Sequence, residues 1–266
     1  MAFTERKNHG VTYMSADTIS ARHGFSTRFG GVSEGIFDSM NLSTSRGDSE
    51  SAVRENYRRL GAAVGIDTER MAFTRQVHKA DVRIATLADI HELYTDVPYE
   101  ADGLVTNTPG LALICFTADC VPVLLHDGVH GVIAAVHCGW RSSVADILAK
   151  TVRTMCSLGS EAADIHAAIG PAIGYCCFQV GGEVIEAARE YLGGDIAGLY
   201  RPDPDAEGKF LLDLRGCNAR RLVQLGLRGE NIDISDECTK CSHDKYWSHR
   251  YTAGQRGSQG ALIVLE

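Results

Sequence analysis

Short apolar runs dominate the middle of the chain: Leu111 to Phe116, Val121 to Leu125 and Val132 to Val136. They read as buried strands at 111–116, 121–126 and 131–137. Asn107-Thr108-Pro109-Gly110 forms a turn before the first, and Asp127-Gly128 a hairpin-like turn before the third. Val82 to Leu87 alternates and predicts a strand, and Met71 to His78 reads as a strand or extended segment. Further strands are expected at 102–105, 165–169, 232–235 and 261–265, and a strand-to-turn element starts at His23 and breaks at Gly30-Gly31. Helical spacing marks 50–64, with Asp48 and Ser49 as caps and Gly65 as terminator. Val144, Ile147, Leu148, Thr151 and Val152 share one face of a helix expected over 142–155, and 182–192 and 214–226 complete the helices. Residues 1–22 read as a loosely ordered polar lead-in. Strands and helices are mixed, with few strict strand-helix-strand units, so the fold class is α+β. No repeat, low-complexity segment or linker divides the chain, which reads as one domain over 1–266.

Charge narrows the function. A formal net charge of −8 argues against nucleic-acid or membrane-surface binding, while leaving room for a local basic pocket. No stretch approaches the length of a membrane span, and the residues after Met1 lack the apolar core of a secretory signal, so the expected location is cytoplasmic. Nine cysteines at irregular spacing do not form the framework of a small secreted domain. Most read as small buried hydrophobes, a minority as metal ligands.

The chemistry concentrates where the apolar strands end. Thr117-Ala118-Asp119-Cys120 follows the first, and the third runs into His137-Cys138-Gly139-Trp140-Arg141. If the strands between them pair as a hairpin, Cys120 and His137 meet at one edge, and Gln76-Val77-His78 offers a third ligand. A His, Cys, His set with one open position suits catalytic zinc, and the donors also suit copper. A Cys/His catalytic pair and a packed thiol beside two satisfied histidines remain open on spacing alone. Gly139 to Ser143 joins the His137 strand to a helix, where Arg141 and the helix start at Ser142 could hold an anion. The plain alternative is a Ser-capped helix with a surface arginine. Arg46-Gly47-Asp48 is a similar loop before a helix. Cys238-Thr239-Lys240-Cys241 has no second pair at zinc-finger spacing, so packed or partly exposed cysteines are the first reading and a second zinc site or redox pair the next. Cys176-Cys177 reads as structural.

The order Gln76-Val77-His78, Ala101-Asp102, Thr117 to Pro122, His137 to Arg141 and Ile169 to Gly174 resembles the YfiH-type family, also called the laccase-domain or multicopper polyphenol oxidase family. Ser26 to Ser33, Asn41-Leu42, Gly47-Asp48, Asn56, Cys238-Thr239 and Ser248-His249-Arg250 agree, so the resemblance covers about residues 23–266. It implies a four-layer α/β/β/α sandwich with zinc on His78, Cys120 and His137. It also implies phosphorolysis of adenosine, inosine and methylthioadenosine, with deamination of adenosine, so the partners are purine nucleosides and phosphate. Arg141, Arg46 and Ser142 are then the phosphate candidates, and Asp119 and Arg141 the catalytic ones, Asp119 for proton transfer or for orienting a neighbour. The family also carries older readings as a copper-dependent phenol oxidase and as a cysteine hydrolase using Cys120 and His137. From a different class, a nucleoside-binding protein without turnover fits the same pocket. Cys138 and Ser142 stand where the family usually has alanine and glycine.

Overall fold

The protein is described by a computed structural model covering residues 3–266. In chain order its first elements are β1 (Phe3–Asn8), β2 (Val11–Ala16), β3 (Arg22–Ser26), α1 (Glu50–Val64), β4 (Met71–Ala72), β5 (Val82–Ile84) and β6 (Gly103–Thr106). There follow β7 (Ala112–Thr117), β8 (Val121–Asp127), β9 (Val132–Cys138), α2 (Trp140–Val144), α3 (Ile147–Ser157) and β10 (His166–Ile169). The remainder comprises β11 (Gln179–Gly181), α4 (Gly182–Tyr191), β12 (Tyr200–Pro202), β13 (Lys209–Leu212), α5 (Leu214–Gln224), β14 (Ile232–Ile234), α6 (His249–Thr252) and β15 (Gln259–Val264).

Two six-stranded sheets, ordered β1-β2-β3-β15-β7-β4 and β14-β10-β8-β9-β6-β5, carry the fold, and β11-β13-β12 form a small third sheet. The central strands read as unbroken apolar runs because both of their faces are buried. Along β7, Leu113 and Cys115 enter one core while Ala112 and Ile114 enter another with Tyr57 and Leu60 of α1. Along β9, Ile133 and Ala135 join Leu113 and Cys115, whereas Val132, Ala134, Val136 and Cys138 pack with Ile147, Leu148 and Val152 of α3. This period-2 division places one core between the two large sheets and one on the outer side of each. The mixed α+β class is as expected. No described helix is long and apolar enough to cross a membrane.

Two local expectations are corrected. Residues 3–16 are an antiparallel hairpin, with Phe3 opposite Ala16 and Asn8 opposite Val11. Its turn residues His9 and Gly10 take positive φ, 48° and 79°. The outer strand is exposed from Glu5 to Asn8 and so lacks an apolar signature, while Val11, Met14 and Ala16 of β2 are buried. The helix expected over 142–155 is two helices, broken at Asp146, whose φ is 63°. The Asp146 carboxylate accepts from Arg221 Nε of α5 at 3.0 Å, a tertiary contact that local periodicity cannot register.

Candidate active site

β8 and β9 pair as an antiparallel hairpin, with Val121 opposite Cys138 and Pro122 opposite His137. That register sets Cys120, just before β8, beside His137 near the end of β9. His78 arrives from another direction. β4 ends at Ala72, and the chain beyond it is held by one backbone bridge, Arg75 to Glu100, and by side chains. Gln76 mimics a strand partner of β7, donating to Phe116 O at 2.8 Å and accepting from Phe116 N at 2.7 Å. His78 has φ 58° and Asp119 φ 83°, so two residues at this junction occupy the left-handed region that side chains disfavour. The ligand atoms of His78, Cys120 and His137 all lie within 4.8 Å of one another.

Asp102 organises the trio. Its Oδ1 accepts from His78 N at 3.0 Å and its Oδ2 from Val77 N and Lys79 N, each at 3.0 Å. The same carboxylate faces His137 Nδ1 at 2.7 Å. That contact fixes the ring and turns Nε2 toward Cys120. Burial by itself lowers the His137 pKa, but the Cys120 sulfur and the Asp102 carboxylate outweigh it and bring it up to about 9. His78 is pushed down, first by burial and then by the charges of His137, Arg141 and Arg256. The donor set of two imidazoles and a thiol fits a three-ligand zinc site, and equally a copper one. Gly139 keeps the space over it open: a Cβ there would stand 2.7 Å from His78 Nδ1 and 3.4 Å from Cys120 Sγ.

The trio lines a cavity of about 900 Å³. Phe73, Phe116, Phe178 and Val97 give it an apolar surface, while Arg46, Arg75, Arg250 and Arg256 give it positive charge and His249 adds an imidazole. Asp96 and Asp119 are its acidic members. A basic cavity in a chain of net charge −8 is a local arrangement for an anion. Arg256 is its most constrained cation. Its NH1 donates to Gly257 O at 2.9 Å and Ser258 Oγ at 2.8 Å, yet its buried Nε has no partner. Burial and the neighbouring Arg46 push the guanidinium pKa down to about 10, against the opposing pull of Cys120 and Asp119. Burial, Arg256 and Arg46 likewise lower His249.

The other residues singled out from sequence fall in different places. Arg46 is exposed on the cavity wall. Arg141 stacks on Trp140, 4.3 Å from the ring centroid, and only Trp140 of the two lines the cavity. Ser142 is fully buried in the first turn of α2, which starts at Trp140 with Gly139 as N-cap. Its Oγ donates to His137 O and Gly139 O, each at 3.0 Å, so the hydroxyl is not presented to the cavity. Asp119 has both oxygens engaged, Oδ1 by Thr239 Oγ1 at 2.7 Å and Oδ2 by Arg250 N at 2.6 Å. Sequence reasoning gave no role to Asp102, Arg256 or His249. Asp102 carried a signal, a carboxylate opening an apolar strand; Arg256, in the loop Gly254-Gln255-Arg256-Gly257, carried none.

A family model described as multi-copper polyphenol oxidoreductase laccase matches residues 22–266. A protein of Deinococcus radiodurans named purine nucleoside phosphorylase is 36% identical over 96% of this chain and 94% of its own length. A relative from an unknown prokaryotic organism, named adenosine deaminase, is 33% identical over 88% of this chain and 90% of its own. The crystal structure of YlmD from Geobacillus stearothermophilus superposes with a TM-score of 0.91 at 31% identity, covering 100% of this chain and 99% of that one.

Proposed function

The chain belongs to the multi-copper polyphenol oxidoreductase laccase family, and from that premise we propose that it is a zinc-dependent purine nucleoside phosphorylase that also deaminates adenosine. Adenosine, inosine and methylthioadenosine are its nucleosides and inorganic phosphate its co-substrate. The observation that carries the reading is the convergence of His78, Cys120 and His137 on a cavity that also holds Arg46 and the half-satisfied Arg256.

In phosphorolysis a phosphate oxygen bonds to the anomeric carbon as the bond from that carbon to the purine nitrogen breaks. The electron pair leaves with the base, which takes up the proton that the attacking hydrogen phosphate gives up, and the sugar passes through a cation-like state. Arg46 and Arg256 bind the phosphate and hold it for attack, lowering the barrier by positioning and by charge. Phe73 and Phe116 offer aromatic surface to the base. Asp102 holds the His137 ring through Nδ1, so that Nε2 faces Cys120. Asp119 positions the segments bearing Thr239 and Arg250. Zinc on His78, Cys120 and His137 would supply a Lewis acid for polarising the base or a water. Arg141 acts on the site at a distance, through its charge on His78.

A second reading draws on the chain Asp102–His137–Cys120, which has the form of an oriented base beside a thiol nucleophile. His78 argues for the metal, since a cysteine hydrolase has no use for a third donor within 4.8 Å. Incubation of zinc-loaded protein with adenosine and phosphate separates the readings. Adenine with ribose 1-phosphate, together with some inosine, supports the proposal. Unchanged adenosine, with rapid alkylation of Cys120 that zinc does not slow, supports the hydrolase.

A further inference from the structure

Two cysteine pairs distant in sequence, Cys176-Cys177 and Cys238-x-x-Cys241, converge in space: their four sulfurs are all within 4.8 Å of one another. Cys241 Sγ stands 3.6 Å from Cys176 Sγ and 3.4 Å from Cys177 Sγ, and all four are free thiols. Four sulfurs about 2.3 Å from a central ion in a tetrahedron stand roughly 3.8 Å apart, whereas a disulfide requires about 2.05 Å. Separations of 3.4 and 3.6 Å, with the other pairs inside 4.8 Å, suit a shared ion and are too long for a disulfide.

The backbone is arranged for the same purpose. The loop after β14 runs parallel to the one after β10, bridged at Ala172 and Cys238, with Thr239 N donating to Ala172 O at 3.0 Å. Cys238 Sγ accepts from Gly174 N at 3.1 Å, and the amides of Cys241 and Lys240 point at it as well. Amides aimed at one sulfur of a Cys-x-x-Cys turn stabilise a thiolate, the form that binds metal.

We propose that Cys176, Cys177, Cys238 and Cys241 form a second metal centre, separate from the His78, Cys120, His137 trio, which holds zinc as a structural ion. Four protein ligands leave no open position for substrate, which distinguishes a structural from a catalytic zinc. The centre fastens the floor of the cavity. Ile173 N, from the first loop, donates to Asp119 O at 2.9 Å, and Thr239 Oγ1, between the two cysteines of the second, donates to Asp119 Oδ1 at 2.7 Å. Both loops therefore grip the residue that precedes Cys120.

Counting metal tests this. The full chain, loaded with zinc and desalted, is analysed beside a Cys120→Ala variant and a Cys176→Ser/Cys177→Ser variant. The expected contents are two zinc ions per chain, one and one. If the trio binds no metal, the wild type and Cys120→Ala each hold one ion and the serine variant none, so failure of the functional proposal stays distinguishable. Should the serine variant fail to fold, cobalt replaces zinc in the Cys120→Ala protein, where thiolate-to-cobalt charge transfer with intense visible bands of a tetrahedral four-thiolate ion is expected. The centre is overturned by unchanged zinc in a folded serine variant, by a cobalt spectrum without those bands, or by mass spectrometry finding these cysteines as disulfides in the freshly purified protein.

Discussion

The Asp102 carboxylate meets His137 Nδ1 at 2.7 Å with both residues shut away from solvent, at 1% and 3% exposure. The same carboxylate holds the three successive amides of Val77, His78 and Lys79. One buried side chain thus sets the position of two of the three converging donors. Asp102→Asn keeps an acceptor for the amides but brings an N–H donor against the imidazole. Zinc affinity should fall about 10- to 100-fold, in line with the loss of a ligand-orienting partner. Competition with a fluorescent chelator measures it, and an unchanged affinity would mean that His137 needs no such support.

Gly139 is where the space above the trio is set. Its φ of −67° and ψ of 162° suit any residue, so alanine there is not strained by the backbone. The added Cβ would lie 2.7 Å from His78 Nδ1 and force that ring away. Gly139→Ala should therefore lose about tenfold or more in zinc affinity while its circular dichroism and melting curve stay close to wild type. Full zinc affinity would show that His78 is not held where Gly139 meets it.

Arg256 presents a buried, unpartnered Nε beside Arg46. If phosphate lies there, Arg256→Ala raises KM for phosphate far more than KM for nucleoside. Loss of hydrogen bonds to a charged group, about 1.5–3 kcal/mol, corresponds to roughly 10- to 100-fold. Initial rates with each substrate varied in turn provide the test; equal changes in both KM values would place phosphate elsewhere.

Ser142 gives the opposite pattern. Its hydroxyl satisfies two buried carbonyls. Ser142→Ala should cost about 1 kcal/mol, seen as a melting midpoint lower by about 2–4 °C, with KM for phosphate unchanged. A raised phosphate KM at full stability would restore Ser142 to the anion site.

What could be read beforehand follows from how local each signal is. Glu50–Val64 was legible to the residue because its apolar stripe and the terminator Gly65 lie within the helix itself. β7, β8 and β9 were legible because burial on both faces leaves unbroken apolar runs. The pairing of β8 with β9 then followed from the turn at Asp127-Gly128, and with it the meeting of Cys120 and His137. The hairpin at 3–16 was hidden by a polar outer strand, and the helix break at Asp146 by its dependence on Arg221. Arg256 looks like any loop arginine until the fold turns it into the cavity wall and buries its Nε. The cysteine quartet needs two loops brought together by β10 and β14, so Cys238-x-x-Cys241 appeared to lack a partner.

On the proposed function, this cavity splits purine nucleosides with phosphate by means of a metal on His78, Cys120 and His137. Phosphorus NMR of the protein with inosine and phosphate tests it most directly, because inosine leaves no amino group to deaminate. Ribose 1-phosphate is expected to appear in step with hypoxanthine, to be abolished by chelation, restored by zinc and absent in Cys120→Ala. Unconsumed inosine with zinc-loaded wild type, or ribose 1-phosphate formed equally well by Cys120→Ala, would contradict it.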